Sequence, residues 1–250
     1  MLTRRILFFV LCLFCLTQGA IGGYSTPLVS IFGGSRSVLL LGDSLSVGPF
    51  GREMQSFLCE EFNERRIFIY ASCGSSPEHW LGNEPAFISR CGSRVKTPSS
   101  FTLSEFDHGH SPQPFTTPKI EALLEQIHPT AVVVQLGTNW FDRLEQNSGP
   151  EEIARLEGFL DGFVDAVQNA PGRPALIWIT PPDSSRFRKV QSIVTNLILL
   201  TAKRKSFAVI DSSSLVHYEL GKSGGDGVHY SSEAAALWAK GVKNKLRGLL

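Results

Sequence analysis

The sequence predicts a three-layer α/β/α fold of flavodoxin-like type with a parallel five-stranded sheet. Two observations predict it: short continuous apolar runs recur along the chain, and helical patterns separate them. Such runs are typical of strands buried on both faces, and their alternation with helices predicts right-handed βαβ units. With 42% hydrophobic and 19% charged residues, the 250-residue chain has the composition of a protein with a well-buried core.

The predicted strands and helices follow one another in regular order. The strands are expected at residues 37–41, 66–71, 131–136, 175–180 and 206–210. Apolar residues three and four apart predict helices at about 49–63, 118–127, 150–168, 184–203 and 231–246. In the last helix Ser231 is the expected N-cap, and four side chains are expected to face inward: Leu237, Trp238, Val242 and Leu246.

Residues 72–117 show no regular period and contain five prolines, which predicts a long loop. Cys73 and Cys91 lie in this loop beside glycines, and we expect them to form a disulfide. Cys59 falls within a helical pattern and is expected to be a buried thiol.

The first twenty residues have the pattern of a secretory signal peptide. Arg4 and Arg5 precede an apolar run at 6–16, and small residues follow at 17–20. An uncleaved anchor is the alternative, although the run is short for a membrane span. We therefore expect a secreted or periplasmic protein, without stable membrane insertion after cleavage. Residues 21–36 are the expected tether, and 37–250 the expected folded domain.

The charge balance argues against a nucleic-acid partner. The chain has 24 lysines and arginines against 23 acidic residues, and no basic patch stands out. No cysteine–histidine spacing has the form of a zinc site, so neither a metal nor another cofactor is expected.

Four segments with chemically useful residues follow the predicted strands or precede the last helix. Gly42-Asp43-Ser44-Leu45-Ser46 places Ser44 at a strand-to-helix turn, where a nucleophile would point out of the sheet; a helix cap is the alternative. Gly74 follows the second strand and Asn139 the third, and both types of residue can donate to a developing oxyanion. Ordinary turns would use the same residues.

The fourth segment contains Asp226 and His229. A carboxylate three residues before a histidine can orient the imidazole, which then acts as a general base. In open α/β sheets ligands bind beyond the carboxyl ends of the strands, where the first three segments lie. Their joint placement is therefore more informative than any one of them.

Together these segments resemble the four blocks of the SGNH (GDSL) hydrolase family, over residues 37–250. The resemblance implies the SGNH hydrolase fold, with Ser44 as nucleophile, His229 as base and Asp226 as its orienting residue. It also implies an oxyanion hole formed by the amides of Ser44 and Gly74 and the side chain of Asn139. Two positions depart from the family pattern. Cys73 stands where the family usually has Asn, which leaves Gly82 as a rival to Gly74, and Trp140 stands where many members have Asp.

The resemblance implies a cofactor-free serine esterase that acts on carboxyl esters. With export, the expected substrate is an O-acetylated cell-wall or other polysaccharide, followed by a lipid or small ester. Two alternatives stay open at this point: an acyltransferase with the same machinery, and a non-catalytic carbohydrate-binding protein. Trp140 is either an aromatic wall for a sugar ring or a core residue.

Overall fold

The computed structural model describes residues 36–106 and 110–250, and a seven-stranded sheet lies at its centre. The strands in chain order are β1 (Val38–Gly42), β2 (Ile67–Ser72), β3 (Ile88–Ser89), β4 (Ser93–Lys96), β5 (Phe101–Ser104), β6 (Phe115–Thr116), β7 (Ala131–Gln135), β8 (Ala175–Ile179) and β9 (Ala208–Ile210). The short strands β3 and β6 pair separately from the main sheet.

Helices cover both faces of the sheet. They are α1 (Ser44–Val47), α2 (Pro49–Glu61), α3 (Ile120–Ile127), α4 (Phe141–Gln146), α5 (Pro150–Gln168), α6 (Gln191–Lys205) and α7 (Ser232–Leu246). Short 3₁₀ turns occur at Glu64–Arg66, Pro77–Trp80 and Thr138–Trp140. Among the described residues, no helix is both long and apolar enough to cross a membrane.

The strand order of the main sheet is β5-β4-β2-β1-β7-β8-β9. The five predicted strands are all present and run parallel to one another, in the order 2-1-3-4-5 of flavodoxin-like folds. The predicted three-layer fold is therefore confirmed. The order of the strands reverses between β1 and β7, because β2 lies on one side of β1 and β7 on the other. The crevice favoured for ligands therefore lies beyond the carboxyl ends of these two strands.

The prediction of only five strands was wrong. Strands β4 and β5 add an antiparallel hairpin beyond β2, within the segment predicted as a loop. Strand β4 buries Ser93, Arg94 and Lys96, and most of β5 is exposed, so neither strand carries the apolar run by which the others were recognised.

Alternate residues of β1 belong to different hydrophobic cores, as the two-residue period of a strand requires. Leu39 and Leu41 pack towards α3, α5 and α6. Val38 and Leu40 pack towards α2 and α7, where Phe50 stacks on Trp238 with 3.6 Å between ring centroids. This double burial explains the continuous apolar run.

Three smaller predictions need correction. Helix α6 begins at Gln191 and not at residue 184, because the Ser184 hydroxyl donates to the carbonyl of Gly227 and the following residues form turns. Leu237 is 65% exposed on the outer side of α7. Cys59 is a free thiol but only half-buried.

Cys73 and Cys91 form the expected disulfide, and Ser231 caps α7 as expected. The predicted signal peptide and residues 21–35 of the predicted tether lie outside the described residues.

Candidate active site

Ser44 begins α1, directly after the end of β1. The turn is tight, since a Cβ atom on Gly42 would lie 2.2 Å from the side chain of Ser46. Only glycine allows such a close approach of strand and helix. Within the described part of the chain, no acceptor faces the backbone amide of Ser44, as expected for the first residue of a helix.

Hydrogen bonds to the side chain of Asp43 stabilise this turn. One of its carboxylate oxygens accepts the amide of Leu45 at 3.0 Å, and the other faces the side-chain amide of Gln135 at 3.4 Å. The side chain is fully buried, and burial raises the pKa of Asp43 to about 6 despite these hydrogen bonds. The residue before Ser44 therefore has a structural task in the turn.

The structure brings Ser44, His229 and Asp226 together in one hydrogen-bonded row. Nε2 of His229 lies 2.9 Å from Oγ of Ser44, and Nδ1 of His229 lies 2.6 Å from Oδ2 of Asp226. The other carboxylate oxygen of Asp226 accepts the backbone amides of Val228 and His229 at 2.9 and 2.8 Å. Burial opposes ionisation of Asp226, but the hydrogen bonds from His229 and Val228 lower its pKa below the ordinary value.

Gly74 lies in the turn after β2 and has a φ of 81°, a conformation that glycine adopts without strain. The Cys73–Cys91 disulfide fixes the residue before it, and the amide of Cys73 donates to the carbonyl of Gly92. Among the described residues, no acceptor faces the Gly74 amide. Gly82, the rival, donates its amide to Glu121 at 3.1 Å and is thereby occupied.

Asn139 follows β7 and reaches the turn that contains Gly74. Its side-chain amide donates to the carbonyl of Ser75 at 2.8 Å, which uses one of its two hydrogens. Trp140 is fully buried and donates to Glu78 at 2.9 Å. It is therefore a core residue and not a wall of the site.

A cavity of about 460 Å³ adjoins this side of the site, and both Gly74 and Asn139 line it. His79 and Phe87 stack within it, with ring centroids 4.0 Å apart. Burial lowers the pKa of His79, which favours the neutral ring whose Nδ1 accepts the amide of Ser76 at 2.9 Å. The segment predicted as a loop thus builds one wall of the cavity.

Sequence reasoning missed Tyr218, a buried residue beneath the loop that carries Asp226 and His229. Its hydroxyl donates to the carbonyl of His229 at 3.1 Å and accepts the amide of Gly227 at 3.0 Å. Tyr218 is eleven residues from His229 and belongs to no motif, so only the three-dimensional structure identifies it.

Solved esterases share this architecture. The inhibitor-bound aryl esterase of M. smegmatis aligns with 86% of this chain and 100% of its own, with a TM-score of 0.57 and 13% identity. A carbohydrate acetylesterase family member from Sinorhizobium meliloti aligns with 86% of this chain and 99% of its own, with a TM-score of 0.58 and 14% identity. The chain has the SGNH (GDSL) hydrolase fold.

A third structure with the SGNH fold, TesA, aligns with 86% of this chain and 100% of its own, at a TM-score of 0.59 and 16% identity. By sequence the chain is similar to Protein BcsX of Komagataeibacter xylinus, with 24% identity over 222 residues. That alignment covers 82% of this chain and 74% of BcsX. No protein-family model matches the sequence.

Proposed function

We propose that this protein is an exported serine esterase that hydrolyses carboxyl esters, with Ser44 as nucleophile, His229 as general base and Asp226 as the residue that orients His229. One observation carries the proposal: two short hydrogen bonds join the three side chains in the order that nucleophilic catalysis requires.

The chemistry follows from the positions of the protons. His229 takes the proton of Ser44 through Nε2 while Oγ attacks the ester carbonyl, and the imidazolium then gives that proton to the departing alcohol oxygen. Water attacks the resulting acyl-serine with His229 again as base, and collapse of the second intermediate returns the proton to Oγ and releases the acid. Asp226 keeps the proton of Nδ1 in place and stabilises the imidazolium.

Three donors are available for the oxyanion in this proposal. They are the backbone amides of Ser44 and Gly74 and the second amide hydrogen of Asn139. Donors that are fixed before the reaction stabilise the developing charge most effectively. The disulfide beside Gly74 and the Asn139–Ser75 hydrogen bond both serve that fixation.

Hydrolysis is favoured over acyl transfer by the exposure of the site. The side chains of His229 and Asp226 are 52% and 50% exposed, so water reaches the acyl-serine from the same side as the base. A transferase has to keep water away from its acyl-enzyme.

O-acetyl groups on a polysaccharide are the proposed substrate. The proteins with similar structures include a carbohydrate acetylesterase and a peptidoglycan O-acetylesterase, which supports this choice. Export rests on the signal-peptide pattern of residues 1–20, and the Cys73–Cys91 disulfide is consistent with an oxidising compartment.

The test is hydrolysis of a short-chain aryl acetate by the wild type and by Ser44→Ala, with mass spectrometry after an organophosphonate probe. We expect the variant to be inactive and the adduct to lie on Ser44. His229→Ala is expected to cost nearly as much and Asp226→Asn less, because Ser and His act as a unit. Activity that persists in a folded Ser44→Ala protein, or an adduct elsewhere, would refute the proposal.

A further inference from the structure

A second, larger cavity adjoins the one beside the candidate site. It has a volume of about 830 Å³ and lies between α3 and α5. Glu84, Arg155 and Phe159 line both cavities. These three residues therefore mark where a ligand bound beside Gly74 and Asn139 would extend into the larger cavity.

The larger cavity is an elongated groove. Helix α5 and its C-cap line it from Arg155 to Asn169, a distance of roughly 20 Å along the helix axis. Its floor is mainly apolar, with contributions from Leu81, Leu124 and Phe159. Gly158 lies in this floor, and a Cβ atom there would meet nothing within 4 Å, so its backbone borders open space.

Polar side chains line the rim of the groove, and they are mainly acidic: Glu84, Glu121, Glu125 and Asp165. Arg155 is paired with Glu152 at 2.7 Å and Asp165 with Lys205 at 2.6 Å, so the excess negative charge of the rim comes from the three glutamates. Such a rim repels a polyanion, while its carboxylates accept hydrogen bonds from hydroxyl groups.

Hydrogen bonds from one lysine hold the segment at which the two cavities meet. Nζ of Lys119 donates to the backbone carbonyls of Glu84 and Pro85 at 2.9 and 3.1 Å, and also to that of His79 at 3.2 Å. The segment that borders both cavities is therefore in place before any ligand arrives. A preformed groove spares a polymer the cost of ordering its binding site.

We propose that the two cavities form one binding groove for an uncharged, hydroxyl-rich polysaccharide, which places one of its O-acetyl groups at Ser44. This inference rests on the proposed esterase function and specifies its substrate as a long, neutral chain. The apolar floor packs against the C–H faces of the sugar rings, and the rim carboxylates accept their hydroxyl protons. The three lining residues that the two cavities share and the sign of the rim charge carry the argument.

Gly158→Trp tests the groove. The indole fills open space in the groove, and tryptophan is a better helix former than glycine, so folding is preserved. Gly158→Ala is the matched control, because it changes the same position without filling the groove. The assay measures acetate release from O-acetylated glucomannan, water-soluble cellulose acetate and O-acetylated polygalacturonate, together with hydrolysis of an aryl acetate and an aryl palmitate.

We expect the wild type and Gly158→Ala to release acetate from both neutral glycans much faster than from the polygalacturonate. Gly158→Trp should lower kcat/KM on the neutral glycans by about tenfold or more, and by a much larger factor than it lowers kcat/KM on the aryl acetate. If Gly158→Trp does not fold, Phe159→Ala replaces it, with an expected rise in KM that is larger for the glycans than for the aryl acetate.

Several results would overturn the inference and leave the esterase function standing. For the wild type, they are no activity on either neutral glycan, or equal activity on the polygalacturonate. For Gly158→Trp, they are an unchanged rate on the glycans, or a loss confined to the aryl palmitate, which would assign the groove to an acyl chain. Failure of the esterase proposal itself would appear differently, as aryl acetate hydrolysis that is absent from the wild type or survives in Ser44→Ala.

Discussion

Asn139 donates its side-chain amide to the backbone carbonyl of Ser75 at 2.8 Å. This hydrogen bond joins the turn after β7 to the turn after β2, although 64 residues separate the two. Gly74 lies next to Ser75. One contact therefore fixes two of the proposed oxyanion donors, the backbone amide of Gly74 and the side-chain amide of Asn139.

Asn139→Ala should lower kcat on an aryl acetate by about 10²–10³-fold, with little change in KM, because a donor to the oxyanion acts mainly in the transition state. Steady-state kinetics at a temperature well below unfolding is the measurement. An Asn139→Ala protein with wild-type kcat would remove this residue from the oxyanion hole.

Tyr218→Phe should reduce both stability and turnover. It leaves the carbonyl of His229 and the amide of Gly227 without their buried partner, at a cost of about 1–3 kcal/mol in the free energy of unfolding. Because the same loop carries Asp226 and His229, kcat should fall by about tenfold while KM stays near wild type.

Tyr70→Phe, on the half-buried face of β2, is the control for loss of a phenolic hydroxyl and should keep wild-type kcat. A purely structural role for Tyr218 would give a lower melting temperature with unchanged kcat in the cold, and that outcome would contradict a positioning role.

Asp43→Asn should change how stability depends on pH. Burial raises the pKa of Asp43 from its ordinary value of 3.8 to about 6. Between these values the folded protein holds a proton that the unfolded chain has released, so this group lowers the free energy of unfolding as pH rises from about 4 to 6. The total is at most roughly 3 kcal/mol.

The asparagine variant keeps an acceptor for the Leu45 amide and does not titrate. Its melting temperature relative to wild type should therefore increase from pH 4 to pH 6 and then level off. A constant difference between the two melting temperatures from pH 4 to pH 6 would show that Asp43 does not titrate there.

Cys91→Ser should destabilise the protein and slow the reaction. The disulfide joins residues 18 positions apart, and opening a loop of this size costs about 3 kcal/mol. Turnover should fall as well, because Cys73 precedes Gly74. Denaturant unfolding and kcat are the readouts, and Cys59→Ser, which removes the half-buried thiol of α2, should resemble wild type. Equal stability of the two variants would count against this role of the disulfide.

The central sheet was predictable because apolar residues predominate in each of its parallel strands, and most of these residues are buried. The hairpin β4–β5 was not, because its buried residues are polar and are satisfied by distant partners. Arg94, for example, donates to the carbonyl of Val47 and to the side chain of Gln55, both at 3.0 Å. Local sequence patterns do not indicate such contacts.

The residues of the candidate site were likewise predictable only in part. Asp226 and His229 lie three residues apart, and Ser44 follows an apolar strand, so local spacing indicated all three. Gly74 was ambiguous because glycines are common in turns, and its φ of 81° and its nearness to Asn139 are three-dimensional properties. The contribution of Tyr218 depends on how a loop folds over a buried ring, which sequence spacing does not encode.

The row of three side chains is assembled from two very different kinds of contact. Asp226 and His229 belong to one turn. The hydrogen bonds that Asp226 accepts from the backbone amides of this turn keep the two residues together even when the turn moves as a unit. The contact between His229 and Ser44 spans 185 residues and depends on the packing of the whole sheet against its helices. We therefore expect heating to separate His229 from Ser44 before it separates His229 from Asp226, so that activity falls at a lower temperature than that of global unfolding.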